Sequence, residues 1–105
     1  MKVLFHQGTP APLRRFLHSH TVDTAHENGW SQLRNGELLD QAEARGYDAF
    51  ITTDTNLRYQ QNLGGRTIRI LVLTTTSWPR IRLKTEEVCG ALDKLEPGEL
   101  SELSL

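Results

Sequence analysis

The residues best suited to chemistry are His6 and Gln7, Glu37, and the run Asp54, Asn56 and Arg58. His6 and Gln7 close the apolar run KVLFH, and Asp54 closes the apolar run DAFITT. Glu37 stands in the first turn of the helical segment that leads into that second run. In an open parallel sheet ligands bind beyond the carboxyl ends of the strands, so these three segments are expected to converge on one rim. Two converging carboxylates repel each other, and a divalent cation that takes oxygen ligands and orders water relieves the repulsion. Arg58, one helical turn past Asp54, would contact a phosphate or partly neutralise the acids. Each acid also has a bland role: Asp54 caps a helix beginning at Asn56, and Glu37 complements a helix dipole.

The elements that must carry these residues alternate between strand and helix. KVLFH at 2–6 reads as a buried strand, and Pro10 and Pro12 open a helical stretch with Leu13, Phe16 and Leu17 at its apolar positions. TVDTA at 21–25 reads as a short strand. Asn35 is a favoured cap for a helix running to about Arg45, with Leu38, Leu39 and Ala42 inward and Gly46 as its stop. After DAFITT, the segment LRYQQNL reads as a short helix halted by Gly64–Gly65. TIRILVLT at 67–74 is the strongest strand, rich in β-branched residues. Ser77 is placed to cap one long helix from Trp78 to Lys94, with Ile81, Val88, Leu92 and Leu95 as its stripe, broken by Pro97–Gly98. ELSEL near the end adds an edge strand. This order predicts an α/β chain: one domain over residues 1–105, a three-layer α/β/α sandwich around a mostly parallel sheet.

Composition agrees with a globular chain, with 37% hydrophobic and 24% charged residues. No apolar run reaches the ~20 residues that span a bilayer, and MKVLF is too short for a signal peptide. The expected setting is cytoplasmic, without a membrane partner. The single cysteine, Cys89, fits a reducing compartment and reads as a packed helix residue rather than a nucleophile. The formal net charge of −1 conceals a pattern: Arg58, Arg66, Arg69, Arg80, Arg82 and Lys84 occupy residues 55–84, where no acid occurs. That block either faces a polyanion or pairs with the acidic tail. His18, His20 and His26 read as surface or cap residues, because H-x-H is not a helical metal spacing. Trp30 and Trp78 are able to stack on bases but more often anchor loops. Phosphate-loop fingerprints, a serine elbow and CxxC are all absent.

With KVLF–GTPAPLRRFL, the series GW–NGELL–AE–TTD-N-LRYQQNL, and IRILVLTTTSWPRIR in view, the chain resembles the PIN-like domains of the DUF5615 group over most of residues 1–82. The resemblance implies a PIN-like α/β/α fold and an acidic Mg²⁺ or Mn²⁺ site tied to RNA cleavage. It also implies the toxin half of a toxin–antitoxin pair, with RNA, an antitoxin-like protein and a second copy of the chain as partners. By that analogy Asp54 and Glu37 are catalytic metal-site acids, with Asn56, Arg58 and Gln7 toward the substrate. Relatives carry an Asp where this chain has His6. The change removes one charge and one hard oxygen ligand, and imidazole favours manganese or another transition metal over magnesium.

Two functions therefore stand as expectations: a metal-dependent ribonuclease impaired by His6, and a catalytically inactive PIN-like domain that binds nucleic acid or an antitoxin-like partner. A phosphoacceptor receiver domain fits poorly. It needs an acid pair where His6–Gln7 stands, and a lysine after the last core strand that TTTSW does not supply.

Overall fold

The computed structural model describes residues 1–57 and 63–105. Five strands, β1 Lys2–Phe5, β2 Thr21–Thr24, β3 Ala49–Thr52, β4 Arg69–Leu73 and β5 Leu100–Leu103, form one sheet of order β2-β1-β3-β4-β5. Every pairing is parallel, with Phe5 beside Thr24 and Ile51, and Thr52 beside Val72. The expected mostly parallel sheet is thus parallel throughout, and the ELSEL segment takes one edge.

Side-chain alternation splits the core in two. Val3, Phe5, Ala49, Ile51, Leu71 and Leu73 face one side, against Leu13, Ile81, Val88 and Leu92. Leu4, Phe50, Ile70 and Val72 face the other, against Leu38, Leu39, Ala42 and Leu57. Strands apolar on both faces are what a sheet covered on both faces requires, so the α/β/α layering follows directly from the sequence pattern.

The helices depart from expectation in two places. The stretch after Pro10 is a 3-10 segment, Ala11–Phe16, rather than an α-helix. The expected continuous helix Trp78–Lys94 is two: α2 Trp78–Arg82 and α3 Thr85–Lys94. Between them Lys84 leaves helical geometry (φ −127°, ψ 22°), and Leu83 is 83% exposed. Charge explains the division: Arg80 and Arg82 sit in the last turn of α2, and Glu86 and Glu87 in the first turn of α3, each sign matching its local helix dipole. Helix α1, Asn35–Ala44, forms as expected, but Arg34 is its N-cap and Asn35 its first helical residue. The expected LRYQQNL helix lies largely outside the described residues. Among the described residues no helix is long and apolar enough to cross a membrane.

Candidate functional site at the β1/β3 rim

The strand order reverses between β1 and β3, since β1 leads outward to β2 while β3 leads to β4 and β5. The crevice at such a switch point is where doubly wound sheets bind ligands. His6 and Asp54 follow the ends of these two strands, so both stand at this rim.

The backbone holds them closely. The His6 N–H donates to the Ile51 carbonyl at 2.9 Å, and the Thr9 hydroxyl donates to the same carbonyl at 3.1 Å. Gly8, at φ +90°, makes the turn between them; a Cβ there would come within 2.9 Å of Thr53 Oγ1. His6 Nδ1 and the fully buried Thr52 hydroxyl are hydrogen-bonded at 2.8 Å, and Thr52 Oγ1 also accepts the Asp54 N–H at 3.0 Å. One buried hydroxyl therefore joins the two rim residues. The His6 ring leans on Phe50, with centroids 5.3 Å apart. Burial pushes the His6 pKa below its ordinary value of 6.5, against the opposing pull of the Asp54 charge, so near neutral pH the ring is uncharged.

Asp54 is half-buried and uses both oxygens within the chain. Oδ1 accepts the Asn56 N–H at 3.0 Å, an Asx turn that starts the next segment, and Oδ2 accepts the Asn35 side-chain amide at 3.0 Å. The turn expected of a capping Asp is thus present, while the helix it was expected to cap lies outside the described residues. Asn56 and Gln7 are both exposed beside the rim, while Arg58 lies outside the described residues.

Glu37 is placed differently from the expectation that it turns toward Asp54. Its Oε1 accepts the Arg34 N–H at 3.3 Å, closing the start of its own helix. Residues two apart on an α-helix project about 200° apart, so the helix that aims Asn35 at Asp54 aims Glu37 away, and the side chain is exposed. Among the described residues no three His, Cys, Asp or Glu side chains gather closely enough to hold a metal ion. Reasoning from sequence chose the acid of that first turn, whereas the register selects its amide. Asn35, Thr52, Thr9 and Gly8 are the rim residues it passed over. The signal for them was slight: a buried Thr at a strand end, and a Gly in the turn after β1.

The basic block is also more dispersed than its sequence suggests. Arg66 bridges Asp40 at 2.8 Å and Glu43 at 2.7 Å, tying the end of α1 to the entry of β4. Arg69 donates to the Leu95 carbonyl, Arg80 to the Leu105 carbonyl, and Lys84 pairs with Glu87. Among the described residues of that block, Arg82 alone makes no such bond.

Comparison with family models, with curated proteins and with solved structures returns no match.

Proposed function

We propose that this chain is a cytoplasmic PIN-like domain that binds RNA at the β1/β3 rim with its cleaving chemistry lost or strongly reduced. The observation that supports this reading is the identity of the side chain on Asp54: an amide, Asn35, at 3.0 Å rather than a second carboxylate. With neutral His6 on the other side, the rim presents one carboxylate, one imidazole and hydroxyls. That set does not fit Mg²⁺, which needs hard oxygen ligands in near-octahedral order. It suits hydrogen bonding to a sugar hydroxyl or phosphate oxygen.

A second reading, the metal-dependent ribonuclease of toxin–antitoxin type, draws on the adjacency of His6 and Asp54, whose charge acts on the ring. In it His6 and Asp54 would hold Mn²⁺ or another transition ion, which supplies Lewis acidity and an activated water when bound.

Divalent-metal binding by calorimetry, followed by cleavage of single-stranded RNA, separates the two in wild type and His6→Asp. The binding reading expects RNA retention without turnover in the wild type, and activity gained in His6→Asp. Robust wild-type cleavage with Mn²⁺, abolished by Asp54→Ala, would replace it with the second reading.

A further inference from the structure

A second surface lies where the 3-10 segment meets α2. Phe16 is 39% exposed, one of two large apolar side chains so exposed among the described residues, and its ring stands 5.8 Å from that of Trp78 at 47°. Pro12, Arg15 and Arg82 complete a hollow of about 320 Å³ around this pair, with no acid in its wall. Both arginines are exposed, and among the described residues neither makes an ion pair or a side-chain hydrogen bond. The other cations of the chain's basic stretch are mostly engaged with acids or carbonyls, so two unengaged guanidinium groups flanking the exposed Phe16 ring and the half-buried Trp78 are a concentrated feature.

The position relates this hollow to the rim. Trp78 opens α2, four residues beyond Thr74 at the carboxyl end of β4, and Pro12 follows Thr9, whose hydroxyl bonds Ile51 at the end of β3. The hollow therefore borders the carboxyl side of the sheet on the face opposite α1. Two other hollows lie nearby, and both are acidic. One runs between α3 and β5, where Glu86, Glu87 and Glu99 outnumber Lys94, and the other lies on the far side of Phe16 with Glu86, Asp93 and His18. A polyanion is thus admitted on the Arg15/Arg82 side of Phe16 and opposed on the other.

We propose that the Pro12–Arg15–Phe16–Trp78–Arg82 hollow is a subsite for single-stranded nucleic acid, one base stacking on Phe16 and Trp78 and the adjacent phosphates meeting Arg15 and Arg82. This rests on the RNA-binding reading above and gives it a second, separate point of contact. Aromatic faces stack on any base, and arginines track the backbone beside them, which is the usual means of gripping an unpaired strand. A splayed base on an aromatic platform is likewise how loops and ends of RNA are held. An acidic peptide would use the arginines but leave the exposed ring faces without a matching group.

The test is fluorescence anisotropy of a labelled 12-nucleotide RNA, and of the DNA of the same sequence, with the full chain. Arg15→Ala with Arg82→Ala is expected to weaken binding at least tenfold and to lower the slope of log K against log salt by about 1.4, two single-strand phosphate contacts at about 0.7 each. Phe16→Ala is expected to weaken it about tenfold with little change in that slope. Thermal melts confirm that each variant folds, and Trp78→Phe serves where a larger change at 78 would not. Wild-type binding of RNA that is indifferent to all three surface changes but sensitive to Asn56→Ala or Gln7→Ala overturns the subsite and leaves the rim reading standing. A wild type that binds no RNA overturns both. Competition by polyglutamate as strong as by RNA, with Phe16→Ala silent, overturns the stacking role. Equal binding of the DNA strand supports the subsite and assigns it to base and phosphate rather than to the ribose hydroxyl.

Discussion

The Asn35 side-chain amide donates to Asp54 Oδ2 at 3.0 Å, linking the first residue of α1 to the end of β3. This bond crosses the switch point of the sheet, because α1 begins near the rim where β3 ends. It also fixes which residue of the first turn meets Asp54, and leaves Glu37 to close the helix start. The rim is consequently built on one carboxylate whose charge is spread over an amide and a backbone N–H.

Asn35→Asp tests that geometry. The substitution keeps the shape and puts a second carboxylate against Asp54. Two like charges about 4 Å apart cost roughly 1–4 kcal/mol between bulk water and a protein surface, so urea unfolding at neutral pH is expected to show a loss in that range. Adding Mn²⁺ is expected to recover much of it as a rise in Tm, which the wild type does not show. Glu37→Gln, by contrast, is expected to lower stability by about 0.5 kcal/mol through its cap alone, with no change in metal response. A Glu37→Gln variant that abolished wild-type metal binding would show that Glu37 reaches the rim in solution.

His6 makes stability depend on pH in a definite direction. Its folded pKa is lowered from 6.5 by burial, with Asp54 opposing, so below about pH 6.5 the unfolded chain binds the proton more readily than the fold. Stability contributed by the neutral ring is complete above that pH and is lost as pH falls toward the folded value. His6→Gln keeps a polar partner for Thr52 and removes the titration. Melting curves between about pH 5 and 8 are expected to flatten in His6→Gln relative to wild type. An unchanged profile would mean that another group carries the slope.

Glu43 acts in the same direction at lower pH, through its charged rather than its neutral form. Burial pushes its pKa up, but hydrogen bonds from the Thr67 backbone and Arg66, with the Arg66 charge, outweigh that and hold it below its ordinary 4.5. Its contribution is present above about pH 4.5 and is lost as pH falls below that value. Arg66→Ala removes the ion pairs to Asp40 and Glu43 and leaves the Thr67 bonds to Glu43 as the tie between the end of α1 and the entry to β4. The expected cost is about 1–2 kcal/mol, read as a lower urea midpoint at pH 7 that converges on wild type in acid.

The strands were legible because a sheet buried on both faces demands continuous apolar runs, and KVLF, AFIT and RILVL supply them within a residue or two of the observed ends. The rim followed, because His6 and Asp54 are the first titratable side chains past two such runs. What the sequence did not disclose was angular. Asn35 and Glu37 are both plausible first-turn residues, and only the rotation of α1 on the sheet, set by Leu38, Leu39 and Ala42, decides which one faces Asp54. The division of α2 from α3 was similarly hidden. Ile81, Val88 and Leu92 keep one helical stripe across the break, and the opposing charges of Arg82 and Glu86 were its only local sign. The 3-10 form of Ala11–Phe16 reflects a stretch too short to gain from α-helical cooperativity, with prolines at 10 and 12 near its start.

Gly8 offers the sharpest separation between backbone strain and steric conflict. Five of the described glycines have a left-handed φ, among them Gly8 at +90°, Gly46 at +79° and Gly98 at +81°. At Gly46 a Cβ meets nothing within 4 Å, so Gly46→Ala incurs only the conformational cost of a side chain in that region, about 1 kcal/mol. At Gly8 the same change adds a contact of 2.9 Å to Thr53 Oγ1, a hydroxyl on the strand-to-rim passage beside Asp54. Relief requires Thr53 to rotate or the His6–Thr9 turn to lift, and lifting the turn disturbs the Ile51 carbonyl that His6 and Thr9 share. Gly8→Ala is therefore expected to lose about 2–3 kcal/mol, and to shift the His6 ring resonances by NMR, which Gly46→Ala leaves in place. At Gly98 a Cβ would lie 2.8 Å from the Arg66 carbonyl oxygen, a backbone atom with no rotamer to yield. Gly98→Ala is accordingly expected to match Gly8→Ala in stability while leaving the rim resonances unmoved. Equal losses with equal spectral change in all three would show that φ alone governs these turns, and that Gly8 has no particular hold on the rim.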